Sequence, residues 1–185
     1  MKRFLSVRFF LIFLIGVFLD SPAVAQEAPA PAAVVLKEAY RQAAKENKKV
    51  FLIFHASWCG WCHKMDTAMN DPRVRQFFID HYVIRHLSVD EHGDKKQLEN
   101  PGAADTRKRL GGTEDDGIPY WVVLDAKGKL LADGRIGSQP GKNTGCPATE
   151  EEVAHFLNVL KRTSPLDATA LDVIRTTFRE NERRP

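Results

Sequence analysis

Two apolar rhythms recur along the chain, one with the two-residue repeat of a strand and one with the three-to-four-residue repeat of a helix. Residues 50–54 (Val-Phe-Leu-Ile-Phe) form an unbroken run of β-branched and aromatic residues. The run is too short for a buried helix, so it predicts a central strand. At 83–89, Val83, Arg85, Leu87 and Val89 alternate with Ile84, His86 and Ser88, which predicts a second strand. Residues 120–125 predict a third. A turn at Ala126-Lys127-Gly128 then returns the chain along 129–133 as its hairpin partner.

Helical spacing fills the intervals. Leu36, Ala39, Tyr40 and Ala43 define one face of a helix over 33–48, with lysines toward its C-terminal end. A second helix is expected from Cys59 to Met69. Asn70-Asp71-Pro72 interrupts it, and Asp71 is expected to cap a following helix with Pro72 in its first position. Val74, Phe77, Phe78 and Tyr82 supply the apolar side of that segment. Strand, helix, strand over 50–89 is a βαβ unit with parallel strands and a right-handed crossover. Thr149 and Glu152 form a capping box for a further helix, whose stripe is Val153, Phe156, Leu157 and Leu160. Ser164-Pro165 opens another, with Leu166, Ala170, Leu171, Ile174 and Phe178 apolar, expected to pack on the domain and to fray from Glu180 onward.

Between strands two and three, residues 91–117 are polar, with a short helical candidate at 103–110. They lack the apolar residues for a core of their own and predict a surface excursion. The chain's start belongs to no packed element. Lys2, Arg3 and Arg8 precede an apolar run at 9–19, and Ala23-Val24-Ala25 fits a small-x-small cleavage site. Residues 1–25 therefore read as a signal peptide and 26–32 as a Pro/Ala linker. Residues 33–163 form the domain, and 164–185 a C-terminal helix and tail. The leader carries +2 of the formal charge of +3, so the remainder gives no basic patch for nucleic acid. After cleavage no stable membrane anchor is expected, and the location is periplasmic or secreted.

Export changes what the three cysteines mean, because thiols outside the cytoplasm meet an oxidising environment. Cys59 and Cys62 follow the central strand and are one helical turn apart, near enough for a disulfide. The first turn of a helix leaves N–H groups open and carries partial positive charge, which favours a thiolate there. Cysteines of CxxC pairs at helix N-termini fall to a pKa of roughly 3.5–7.5, against about 8.5 for a free one. That makes Cys59 a nucleophile and Cys62 the resolving thiol. Cys146, in a Gly/Pro-rich loop, is the odd cysteine; it is expected as a thiol, with a mixed disulfide or a bridge to another chain as alternatives.

The ordered elements, Ala56-Ser57-Trp58-Cys59-Gly60-Trp61-Cys62 and Gly117-Ile118-Pro119 together resemble the thioredoxin superfamily over 33–162. The nearest likeness is to secreted bacterial thioredoxin-like proteins with a CGWC centre. The resemblance implies an α/β fold with a central mixed four-stranded sheet flanked by helices, here with an extra C-terminal helix. It implies Cys59 as nucleophile, Cys62 as resolver, Pro119 as a cis-proline facing the pair, and Ile118 as the residue whose backbone pairs with a substrate strand. Two departures stand out. Ile53 occupies the place of a buried aspartate, leaving His86 or water as proton acceptor, and Gly60-Trp61 replaces Gly-Pro. Trp58 and Trp61 would shape the substrate groove, and His63 would favour the thiolate.

The reading is an exported thiol–disulfide oxidoreductase acting on protein or peptide thiols and disulfides, without a bound cofactor or metal, and served by an unidentified redox partner. It requires the Cys59 sulfur to be open to solvent and close to Pro119. Three alternatives compete. Cys59-Gly60-Trp61-Cys62-His63 also fits the CxxCH pattern of c-type haem attachment, which would make the chain an electron carrier. Cys59, Cys62, Cys146 and a histidine would make a metal site. A non-catalytic binding module would keep the fold alone.

Overall fold

A computed structural model describes residues 28–183; the expected signal peptide and the last two residues of the tail lie outside that span. The strand order is β2-β1-β3-β4, built from β1 (Lys49–His55), β2 (Tyr82–Ser88), β3 (Tyr120–Leu124) and β4 (Leu130–Asp133). β2 runs parallel to β1, while β3 is antiparallel to both β1 and β4. Helices α1 (Ala32–Glu46), α2 (Gly60–Met69), α3 (Arg75–His81), α4 (Ala103–Arg109), α5 (Glu150–Thr163) and α6 (Ala168–Arg179) complete the chain. A mixed four-stranded sheet flanked by helices, with an added C-terminal helix, is the architecture implied by the resemblance.

The two-residue period of β1 divides the core into two layers. Val50, Leu52 and Phe54 pack with Val83, Leu87, Val122 and Leu124 beneath Leu36, Ala39 and Ala43 of α1. Phe51 and Ile53 point the other way, into a layer with Trp121, Met65, Phe78, Phe156 and Phe178. Both faces of β1 are therefore covered, which is why its sequence is apolar without alternation. Phe156 is the hub of the second layer: its ring lies 5.4 Å from Trp121, 6.3 Å from Phe51 and Phe78, and 4.6 Å from Phe178.

Several boundaries differ from the sequence pattern, each for a local reason. α1 ends at Glu46 because Asn47 turns left-handed at φ 53° and its N–H closes on the Ala43 carbonyl. Asp71 does not cap α3. Its Oδ1 accepts the Arg73 N–H within a separate turn, and the helix begins at Arg75. α6 starts three residues after Pro165, where Asp167 accepts the Ala170 N–H; Ser164 is extended. The chain beyond α6 does not fray at once, since Asn181 is fully buried and its amide donates to the Pro147 carbonyl and to Cys146 Sγ. The capping box at Thr149 and Glu152 forms as the spacing predicts. Among the described residues, no helix is long and apolar enough to cross a membrane.

Phe156→Ala removes the hub ring and leaves a cavity, with an expected cost of about 3–5 kcal/mol. Urea denaturation followed by tryptophan fluorescence measures it.

Candidate active site

β1 ends at His55, and residues 56–59 turn the chain into α2. Cys59 is the N-cap of that helix. Its Sγ accepts the Cys62 N–H at 3.1 Å, taking up one of the open donors of the first turn. Cys59 and Cys62 are joined as a disulfide with their Cα atoms 5.2 Å apart. Gly117 leads into a cis Ile118–Pro119 bond, and the Ile118 carbonyl oxygen lies 3.7 Å from Cys59 Sγ. Ala56, Cys59 and Cys62 pack together with Ile118 against them.

The sulfur is close to the proline loop but not open to solvent: Cys59 is only 3% exposed and Cys62 2%. The sulfur expected open at the helix mouth is thus recessed, a result that on its own favours the non-catalytic scaffold and leaves the enzyme reading dependent on a substrate that reaches down to Cys59. Packing by Ala56 and Ile118 closes over it, and the two tryptophans beside it are the exposed surface. Trp61, 47% exposed, carries Lys64 over its ring at 4.4 Å. With Ile118 and Pro119 it lines a cavity of about 450 Å³ that also includes Thr144, Gly145 and Cys146. Trp58 does not line that cavity. Its Nε1–H donates to the Asp90 carbonyl and its ring stacks on His92.

The two histidines singled out as tuning groups have other partners. His63 Nε2–H donates to the Ser57 carbonyl at 3.0 Å, which ties the second turn of α2 back to the loop before it. His86 Nε2 meets Asp66 Oδ1 at 2.8 Å, and its ring lies 4.9 Å from that of His55. Ile53, in the place of the aspartate, is buried in the apolar layer. Cys146 is buried too, and its Sγ accepts from Asn181. Both sulfurs that a haem thioether would use are in the disulfide. Among the described residues, no group of three or more His, Cys, Asp or Glu side chains is arranged to hold a metal ion.

Glu91 is the residue that sequence reasoning missed. It lies 1% exposed, and its carboxylate accepts both the Ser57 N–H at 2.7 Å and the Ser57 Oγ–H at 2.9 Å. The available signal was topological. Parallel strands end at the same edge of a sheet, so the first residues beyond β2 come to lie beside the first residues beyond β1. The expected surface excursion is therefore partly a wall of the site, with Arg107 buried in an ion pair to Asp90 at 2.6 Å.

Burial, and next to it the neighbouring His86, pushes the His55 imidazole below its ordinary range. A depressed folded-state value means that the unfolded chain binds the proton first as pH falls below about 6.5. Stability is then expected to drop from pH 7 toward pH 5, until folded His55 itself protonates. His55→Gln should flatten that limb in urea denaturation measured across the range.

No curated protein matches the chain. Among solved structures it is similar to a disulphide isomerase from Xylella fastidiosa Temecula1, at 16% identity and a TM-score of 0.49, over 84% of this chain and 98% of that one. A DsbH oxidoreductase aligns at 25% identity and a TM-score of 0.42, over 76% and 94%. A thioredoxin from Thermus thermophilus aligns at 23% and 0.44, over 72% and 84%. A family model described as thioredoxin-like matches residues 32–126, from the first residue of α1 through β3 and the start of the hairpin turn. That match takes in more than half of the chain, including the CxxC pair and the Ile-Pro segment, and the chain belongs to the thioredoxin-like family.

Proposed function

We propose that the chain is an exported thiol–disulfide oxidoreductase that exchanges disulfides with protein or peptide substrates through Cys59 and Cys62. The observation that carries this is the position of Cys59 Sγ. It sits at the α2 N-terminus with the Cys62 N–H directed at it, 3.7 Å from the carbonyl beside Pro119. A thiolate formed there keeps that N–H as a hydrogen-bond donor and the helix end as a favourable field.

In the dithiol form the Cys59 thiolate attacks one sulfur of a substrate disulfide. The substrate S–S bond breaks, a mixed disulfide forms, and one substrate thiolate leaves. Cys62 then loses its proton and attacks Cys59 Sγ, closing the Cys59–Cys62 bond and releasing the second substrate thiolate. The substrate gains two electrons and the pair loses two; run backward, the same steps oxidise a dithiol. Water, or His86 on the neighbouring strand, is the acceptor assigned to that proton. A separate redox partner restores the starting state.

Because the disulfide is recessed, a substrate must bring its sulfur down to Cys59 rather than meet it at the surface. An extended segment laid beside Ile118 and Pro119 does this, with main-chain hydrogen bonds along the strand and side chains in the Trp61 cavity. The leader at 1–25 supports export, and with it an environment in which such exchange has a use.

With dithiothreitol as the electron source, the mature protein is expected to catalyse insulin reduction, followed as turbidity. Cys59→Ser should abolish it, and Cys62→Ser should accumulate a mixed disulfide with insulin on non-reducing gels. Equal rates for wild type and Cys59→Ser would overturn the proposal.

A further inference from the structure

Glu91 combines three properties that a purely structural side chain seldom has together. It is almost completely buried, it is ionisable, and among the described residues no ion pair reaches it. Burying a carboxylate without a cation is costly, and the two hydrogen bonds from Ser57 are what offset that cost. Its surroundings are otherwise compensated. Asp90 on one side is matched by Arg107, and Glu99, whose carboxylate accepts the Glu91 N–H, is matched by Lys96. From β1 the group facing it is His55, whose imidazole burial keeps toward the neutral form, and from α2 it is His63 by way of the Ser57 carbonyl. Among the described residues Glu91 has no Lys or Arg partner, and Asp66, hydrogen-bonded to His86, is the other carboxylate that acts on His55.

The Glu91 carboxylate is linked to the reacting sulfur by two hydrogen bonds to Ser57 and then by the backbone from Ser57 to Cys59. The carboxylate holds Ser57 by both its N–H and its hydroxyl. The next residues form the turn in which the Cys59 N–H donates to the Ala56 carbonyl at 3.1 Å, and Cys59 opens the helix. Two consequences follow from one contact. Geometrically, Ser57 is fixed, and with it the angle at which Cys59 enters α2. Electrostatically, an anion hydrogen-bonded to the loop that carries Cys59 would oppose formation of its thiolate and so work against the helix end. Destabilising the thiolate destabilises the reduced pair relative to the disulfide, which lowers the reduction potential.

We propose that Glu91 is a positioning residue that sets the Cys59 N-cap through Ser57, and that its uncompensated charge biases the pair toward the disulfide, making the protein a donor of electrons. This rests on the oxidoreductase reading above and gives that reading a direction. Electrons leave the Cys59–Cys62 dithiol for a substrate disulfide, and the dithiol is regenerated by a partner dithiol that is itself oxidised.

Glu91→Gln tests the charge without emptying the space, because the Gln Oε1 still accepts the Ser57 N–H and the Ser57 hydroxyl can turn to meet the amide. The full mature protein and the variant are equilibrated with glutathione and its disulfide, and the fraction of reduced pair is read by alkylation. In each case two glutathione thiols and the protein disulfide exchange for the protein dithiol and glutathione disulfide. Glu91→Gln is expected to shift the equilibrium about tenfold toward the dithiol, equivalent to about 30 mV. The pH midpoint of Cys59 alkylation should move down with it. Glu91→Ala, which also loses both hydrogen bonds to Ser57, should in addition slow insulin reduction. An equilibrium unchanged within twofold in Glu91→Gln, or displaced toward the disulfide, overturns the role assigned to the charge while leaving the oxidoreductase reading in place. A wild-type pair that does not exchange with glutathione at all overturns both.

Discussion

The whole site depends on a helix that begins at a sulfur. Cys59 can cap α2 only because β1 delivers the chain to the sheet edge in the right place, and β1 is held there on both faces and by both neighbouring strands. The Cys62 N–H that reaches Sγ is a donor every helix leaves open, so the sulfur gains a hydrogen bond without any added group. The cis Ile118–Pro119 segment enters from β3, the other neighbour of β1, and brings a carbonyl to the same sulfur. Two neighbouring strands, β1 and β3, thus bring a donor and a carbonyl to one atom.

What surrounds that atom is drier than the sequence pattern led us to expect. Ile53 replaces an acid with apolar bulk under α2, and the polar groups are moved to the side, into His55, His86 and Asp66, and to the loop edge, into Glu91 and Ser57. Ala56, Cys59 and Cys62 form a small apolar cluster of their own, with Ile118 packed against it.

Most of the sheet was legible because its signal is local. The run at 50–54, the alternation at 83–89 and the hairpin after 120–125 each declare themselves within a few residues, and the CxxC pair and the Ile-Pro dipeptide declare the site. The Thr149 capping box was legible for the same reason: both of its hydrogen bonds join residues three apart. What escaped depends on distant partners. Glu91 reads as one more charge in a polar stretch, and only pairing of β2 with β1 in parallel register brings it to Ser57. Asn181 reads as a frayed tail, and only the packing of α6 on α5 carries it to Cys146. The recess of Cys59 was likewise invisible, since it is made by Ile118, a residue far away in sequence.

That Asn181 contact ties the segment after α6 to the wall of the cavity beside Trp61. Its amide holds the Pro147 carbonyl and the Cys146 sulfur, and Cys146 shares its cavity with Trp61, Ile118 and Pro119. The last helix is thus a buttress for the mouth of the site as well as a cover for the core. Crowding or tension applied at the carboxyl end, by a fused domain or a docked neighbour, would be felt as a change in the width of the slot beside Trp61 and Pro119.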